Sequence, residues 1–111
     1  MIERNIRAYL SGKLAVPVFM EVPEKAPDSF VVLEKTGSKR NNRINAATIV
    51  TQSYAETLLQ AAELNETVKL VMDSLDELAE VCRVQLNSDY NFTDAASKRY
   101  RYQAVFDVTH Y

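Results

Sequence analysis

Residues 82–90 read Cys-Arg-Val-Gln-Leu-Asn-Ser-Asp-Tyr, and residues 100–108 read Tyr-Arg-Tyr-Gln-Ala-Val-Phe-Asp-Val. Apolar and polar side chains alternate in both stretches, which is the pattern of a β-strand with one buried face. Polar residues 93–98 join them, so we predict an antiparallel hairpin. The predicted core faces are Cys82, Val84, Leu86 and Tyr90 in the first strand, and Tyr100, Tyr102, Ala104, Phe106 and Val108 in the second.

Three more strand patterns lie nearer the N-terminus. Residues 30–33 begin one strand, and residues 44–52, rich in Ile, Val and Thr, form the next. Residues 36–43 carry no large apolar side chain, so we predict a long, flexible hairpin tip there. Residues 16–22 also alternate, but Pro17 cannot donate a ladder hydrogen bond, which predicts a strand that starts at or lies on a sheet edge.

Helical spacing marks two other regions. Ile2, Ile6 and Leu10 predict a short amphipathic helix that ends near Ser11-Gly12. Ser53-Tyr-Ala-Glu56 has the spacing of a capping box, which predicts that a second helix begins there. The apolar side chains that follow form two stripes about 150° apart. We therefore predict a break at Leu64-Asn65 and two helices; one long helix between two apolar surfaces is the alternative.

The predicted order is α-β-β-β-α-(α)-β-β. Hairpins on both sides of the helical block indicate an α+β fold, with a mostly antiparallel sheet of about five strands and helices packed on one face. The length predicts a single domain, residues 1–111. The N-terminal residues are too polar for a signal peptide and no segment is apolar enough to cross a membrane, so we expect the protein to fold in a cytoplasm.

No pattern for catalysis, a cofactor or a metal is found in the sequence. His110 is the only histidine and lies at the end of a predicted strand, where no partner holds it. Cys82 is the only cysteine, and we expect it to be buried in the core. Asp73, Asp76 and Glu77 lack the spacing of a calcium loop and fit a solvated helix end. We therefore expect no enzymatic activity, no cofactor and no metal.

Charge is segregated along the chain. Residues 56–80 contain seven acidic side chains against Lys69 alone, whereas the predicted hairpin tip is basic. Residues 98–101 add further basic charge in the last hairpin. Two ordinary charged surfaces would explain this pattern. A head-to-tail contact between copies, which can close into a ring, would explain it as well. The interface residues predicted on the second interpretation are Lys39, Arg40, Arg43, Asp73, Asp76 and Glu77.

Several local motifs together point to a family. They are the N-terminal helix through Tyr9-Leu10, the strand Val16-Pro-Val18, Ser53-Tyr-Ala-Glu56 after a strand, Leu75-Asp-Glu-Leu78, Asp89-Tyr-Asn-Phe-Thr-Asp94 and Arg99-Tyr-Arg-Tyr-Gln-Ala-Val-Phe106. In these features, over nearly its full length, the chain resembles the tail terminator (tail-completion, head–tail joining) proteins of long-tailed, siphovirus-type phages and prophages. The motifs are structural rather than catalytic.

The resemblance implies a subunit that forms a hexameric ring, caps the tail tube at its final length, ends polymerisation and joins the tail to the filled head. The implied partners are other copies of the chain, the major tail-tube protein and a head-completion (connector) protein. The implied location is the head–tail junction of the virion, after assembly in the host cytoplasm and without a membrane. DNA would pass through the lumen without specific binding, which an acidic wall favours. Lys39-Arg40 would hinder that passage, so we place this pair at the subunit interface or rim.

Two other functions fit parts of the sequence. Another small connector, such as a head-completion or stopper protein, is one. A single-strand nucleic-acid-binding module using residues 98–102, Lys-Arg-Tyr-Arg-Tyr, is the other, because such modules interleave basic and aromatic residues. Strand alternation argues against the module, since Tyr100 and Tyr102 share the face of Phe106. A small ligand-binding or enzymatic domain lacks a convergent polar site.

Overall fold

The computed structural model describes residues 1–97 and 99–111, and it confirms the predicted α+β fold. The strands form one sheet in the order β1-β2-β3-β5-β4, in which β1 is parallel to β2 and the other neighbours are antiparallel. The elements are α1 (Ile2–Lys13), β1 (Val18–Phe19), β2 (Phe30–Asn41), β3 (Ile44–Ala55), α2 (Leu58–Asp73), a 3₁₀ turn (Leu75–Glu77), β4 (Val81–Asn91) and β5 (Tyr100–His110).

The core lies between one face of the sheet and the two helices. Ile6 and Leu10 of α1 and Met72 of α2 are fully buried against Ile49 and Phe106 of the central strands. Burying a large aliphatic or aromatic side chain contributes roughly 1.5–3 kcal/mol relative to leaving it exposed. The sequence periodicity of α1, β3 and β5 therefore matches the packing, because each element presents one face to this single layer.

The β2–β3 hairpin contradicts the predicted long tip. Residues 36–41 belong to β2, and their ladder with β3 runs from Gly37 opposite Thr48 to Asn41 opposite Ile44. Only Asn42 and Arg43 form the turn, with φ angles of 51° and 68°. Two successive positive φ angles are typical of a tight two-residue hairpin turn. The prediction of a long tip was wrong because a strand segment can be polar throughout where no neighbour covers it: β1 pairs only with Val31 and Val32 of β2, and ladder pairing uses backbone groups alone.

Helix α2 begins later than predicted and is unbroken. Thr57 is its N-cap, and the Thr57 side chain accepts a hydrogen bond from the Gln60 amide at 3.1 Å. Ser53, which the capping box placed at the helix start, is a buried residue of β3. Asn65, the predicted break, lies on the buried side of the continuous helix. Of the two predicted apolar stripes, the one with Val68 and Met72 faces the core, whereas the one with Leu58 and Leu59 is largely exposed, with Leu59 70% exposed.

Both edge strands differ from the alternation in the sequence. β1 does lie at a sheet edge, as predicted, but it has two residues rather than the seven of residues 16–22. The register of β4 shifts between Val81 and Arg83 and again between Leu86 and Ser88. Each bulge moves the following side chains to the opposite face. Cys82 is therefore exposed rather than buried, and Tyr90 lies beside Gln103 on the sheet face away from the helices.

The helices of this fold are short and amphipathic. Among the described residues, no helix combines the length and hydrophobicity needed to cross a bilayer. α1 and α2 together cover one face of the sheet, and β1 with the loop after it covers part of the other through Phe19 and Ala26. The remaining surfaces are the hairpin turn, the outer side of α2 and the two sheet edges.

Candidate functional site

The predicted interface residues lie at one end of the molecule. Asn45 and Val81 both pair with His110, so the β2–β3 turn and the start of β4 lie at the same end of the sheet. Helix α2 also ends there and leads through the 3₁₀ turn into β4. We call residues 39–44 the basic arm, with the cations Lys39, Arg40 and Arg43. We call Asp73, Asp76 and Glu77 the acidic end.

The basic arm and the acidic end do not pair with each other. All six charged residues are exposed. Within the residues that the structure describes, the ion pairs are Lys35–Glu3 (3.4 Å), Lys69–Glu66 (3.0 Å) and Lys69–Asp89 (2.9 Å), and none joins the two sets. Glu77 accepts a hydrogen bond from the Tyr9 hydroxyl at 3.1 Å. Both sets of charge are thus left for solvent or for another molecule.

The outer side of α2 carries two exposed leucines, of which only Leu59 belongs to one of the apolar stripes predicted from the sequence. Leu59 is 70% exposed and Leu70 is 71% exposed. Glu63, Glu66 and Asp73 lie on the same outer side and are exposed as well. Periodicity could not separate this stripe from a core stripe, because it shows that apolar residues share a face and not what covers them. Leu59 and Leu70 are about 16 Å apart along the helix, so each is a separate apolar side chain among carboxylates.

A polar cluster fastens α2 to β4. The Asn65 amide and the Lys69 ammonium each donate to Asp89 Oδ2 at 2.9 Å. The hydrogen bond to Asp89, followed by the one to Glu66, raises the pKa of Lys69 above its ordinary value. Lys69 is the only cation in residues 56–80, and it is engaged here. The outer side of α2 therefore keeps an acidic character.

On the other sheet face, an arginine is packed between aromatic rings. The guanidinium of Arg101 lies 4.6 Å from the centre of the Phe92 ring and donates to the Tyr54 hydroxyl at 2.7 Å. Its Nε donates to the Phe92 carbonyl oxygen at 2.7 Å. Tyr54 in turn stacks on Phe30, with ring centres 4.5 Å apart. Arg101, in β5, is thus a structural residue that links the segment directly after β4 to Tyr54 of β3.

The predicted nucleic-acid surface at residues 98–102 is not assembled by this geometry. Tyr100 and Tyr102 pair with Ala55 and Ser53 and lie on the helix side of the sheet, as the alternation predicted, whereas Arg101 lies on the other side. Stacking of single-stranded bases needs aromatic and basic side chains on one open surface. Lys98 lies outside the described residues.

The described residues offer no constellation for metal or acid–base chemistry. Within them, no group of three or more His, Cys, Asp or Glu side chains is placed to hold a metal ion. His110 Nδ1 lies 3.0 Å from the backbone oxygen of Tyr111. The Tyr111 hydroxyl interacts with the Cys82 thiol, which raises the pKa of Tyr111 above its ordinary value. A raised tyrosine pKa keeps the hydroxyl protonated, so it does not create a nucleophile at neutral pH.

This chain matches no protein-family model and no curated protein at a significant level.

Proposed function

We propose that this chain is a structural subunit of a phage tail: a tail terminator whose copies form a ring, cap the tail tube, end its polymerisation and join the tail to the head. The observation that carries the proposal is the pair of unpaired, oppositely charged surfaces at one end of the molecule. Lys39, Arg40 and Arg43 form one, and the acidic end forms the other. The resemblance of the chain's motifs to those of tail terminators is the reason for placing this contact in a ring on the tail tube.

Complementary surfaces on one chain suit contact between copies. A head-to-tail contact of this kind generates a closed ring when the rotation between copies permits it. Exposed ion pairs contribute about 0–1 kcal/mol each, so charge sets orientation and partner choice while apolar contact supplies most of the affinity. The proposed partners are therefore further copies, the tail-tube protein below the ring and a connector protein of the head above it.

The proposal requires neither catalysis nor a cofactor. Its role in the virion is mechanical, at the head–tail junction, and DNA passes the ring without being held. Exposed carboxylates outside the contact between copies, such as Glu63, suit a surface near DNA, because like charge disfavours contact with phosphates. The single-strand nucleic-acid-binding alternative is disfavoured by Arg101, whose guanidinium hydrogen bonds go to Tyr54 and Phe92.

The experiment is reversal of the arm charges in the phage or prophage that carries the gene. Lys39, Arg40 and Arg43 are changed to Glu, and assembling particles are viewed by electron microscopy. We expect tails of abnormal length and tails that fail to join heads. A matched variant reverses Arg4, Lys25 and Arg83, which are also exposed but lie outside the arm. This variant changes the net charge by the same amount but leaves the arm intact, so it should assemble normally.

The outcome that contradicts the proposal is specific. If the arm variant forms tails of normal length that join heads as the wild type does, the arm takes no part in tail assembly, and the proposed role of this interface is wrong. If tail length is normal and only head completion fails, the chain belongs to the stopper or head-completion class instead.

A further inference from the structure

Two exposed aliphatic side chains, Leu70 and Ile44, lie on surfaces of opposite charge. We propose that the basic arm of one copy docks on the C-terminal half of α2 in a second copy, with Ile44 packed against Leu70. This inference deepens the proposed function, since it names the contact between subunits. It holds as a contact between copies whether or not the assembly caps a tail.

Leu70 is the apolar centre of the acceptor surface. It is 71% exposed on the outer side of α2. Glu66 lies one turn before it and Asp73 one turn after it, and residues at these spacings are neighbours on a helix surface. Asp76 and Glu77 continue the negative charge past the helix end. The acceptor is thus an aliphatic side chain surrounded by carboxylates.

Ile44 is the matching centre on the arm. It directly follows the turn, is 43% exposed and pairs with Asn41. Ile44 lines one shallow hollow together with Lys39 and Arg40, and Arg43 precedes it. The arm is therefore an aliphatic side chain surrounded by cations, with the charge opposite to that around Leu70.

The arm cannot reach the acceptor surface of its own chain. Residues 39–44 belong to the β2–β3 hairpin, whereas Leu70 faces away from the sheet on the far side of α2. The diameter of a helix with its side chains, about 10 Å, separates these two levels. No ion pair among the described residues joins the arm to α2. The occupant of the acceptor surface is therefore the arm of another copy.

The backbone of the arm gives an independent reason for an outward role. Arg43 has a φ of 68°, in the left-handed region that favours glycine or asparagine. A non-glycine residue there is strained, and such strain persists mainly where the residue has a task beyond the fold. Glycine at this position would make the better turn, but it would carry no cation to the partner.

Cross-linking in a Cys82→Ser background tests the contact directly. A chain with Ile44→Cys is mixed with a chain with Leu70→Cys, at concentrations up to the millimolar range, under mild oxidation. We expect a disulfide-linked pair between the two variants. The matched control is Leu59→Cys, which is equally exposed on the same side of α2 but lies about 16 Å away along the helix. It should form no pair with Ile44→Cys beyond random collision.

Affinity gives a second measurement, by analytical ultracentrifugation. Leu70→Gln should weaken self-association about tenfold, as expected for losing the burial of one leucine, and Leu59→Gln by less than about twofold. Arg43→Glu should weaken it as well, and adding Asp73→Arg to Arg43→Glu should restore it. Circular dichroism confirms that each variant is folded before it is compared.

The outcomes separate the inference from the proposed function. Equal cross-linking at Leu59 and Leu70, or a wild-type protein that stays monomeric at millimolar concentration, overturns the inference. Specific cross-linking together with assemblies that never exceed two copies supports the contact and contradicts the ring. Specific cross-linking together with normal tails in the triple arm variant supports the contact and contradicts the tail terminator.

Discussion

Arg43 stands in the second position of a two-residue turn with a φ of 68°. A side chain in this left-handed region costs roughly 1–2 kcal/mol relative to glycine. Arg43→Gly should therefore raise the free energy of unfolding by about 1 kcal/mol, measured by urea denaturation. Arg40→Gly is the control, because Arg40 lies within β2, where glycine should lower the free energy of unfolding by about 0.5–1 kcal/mol. A loss of stability in both variants would contradict the strained turn.

Asp94 shows how a single carboxylate sets a pH dependence. Hydrogen bonds from the Ser97 hydroxyl (2.9 Å) and the Ala96 amide (3.1 Å) lower the pKa of Asp94 below its ordinary value. A lowered pKa in the folded state contributes stability above the unfolded pKa of 3.8, and this contribution is lost as the pH falls through the folded pKa.

The stability difference between the wild type and Asp94→Asn should therefore shrink as the pH is lowered from 6 to below 3.8. Asparagine keeps an oxygen that can accept a hydrogen bond but has no charge, so the comparison measures the effect of the charge. Denaturant unfolding at low and high salt checks this, and because Asp94 is exposed the effect should be smaller at high salt. A difference that does not vary with pH would contradict the assignment.

At the scale of elements, sequence reasoning succeeded where one face of an element meets one layer. α1 and β5 follow this rule. It failed at Ser53, where a local capping signal lost to the pairing of β3 with β2 and β5 on both sides. It failed again at Cys82, because a bulge in an edge strand leaves no mark in the alternation.

The candidate site was predicted only in part, for a similar reason. The basic and acidic residues are visible in the sequence as charge. The exposure of Leu70 and Ile44 is not, because it depends on which neighbours cover each side chain after folding.

The N-cap of α2 allows a matched pair of substitutions within one helix. Thr57→Ala removes the hydrogen bond to the Gln60 amide and should lower the free energy of unfolding by about 1 kcal/mol. Thr67→Ala, the same change at an exposed position inside α2, should be neutral or slightly stabilising, because alanine is the better helix former. Thermal melts of both variants provide the measurement. Equal effects would contradict the assigned helix start.

At the scale of the whole molecule, stability should depend on the packed core alone. The core joins both helices to all five strands, and within the described residues no cluster of metal ligands takes part in it. We expect the melting temperature of the purified protein to be unchanged by a strong chelator. A lower melting temperature that recovers on adding back a metal ion would reveal a structural metal.

Self-association should also depend on salt. The Debye length falls from about 10 Å at 0.1 M ionic strength to about 3 Å at 1 M. Pairing between Lys39, Arg40 and Arg43 and the acidic end of another copy should weaken accordingly, mainly through slower association. Sedimentation at the two salt concentrations measures the effect. An unchanged affinity would mean that charge does not orient the copies.

The position of β5 has a consequence for the growing chain. β5 lies between β3 and β4, although both of those strands are synthesised before it. Asn45 of β3, for example, pairs with His110 of β5. Until residue 100 has been made, the sheet exists as two unconnected pieces with bare edges, which are prone to pair with the wrong strand. Contacts this distant in sequence also form slowly. The nascent polypeptide therefore completes its sheet only after β5 is made, and a fragment ending at residue 97 should not fold into a shorter version of the domain.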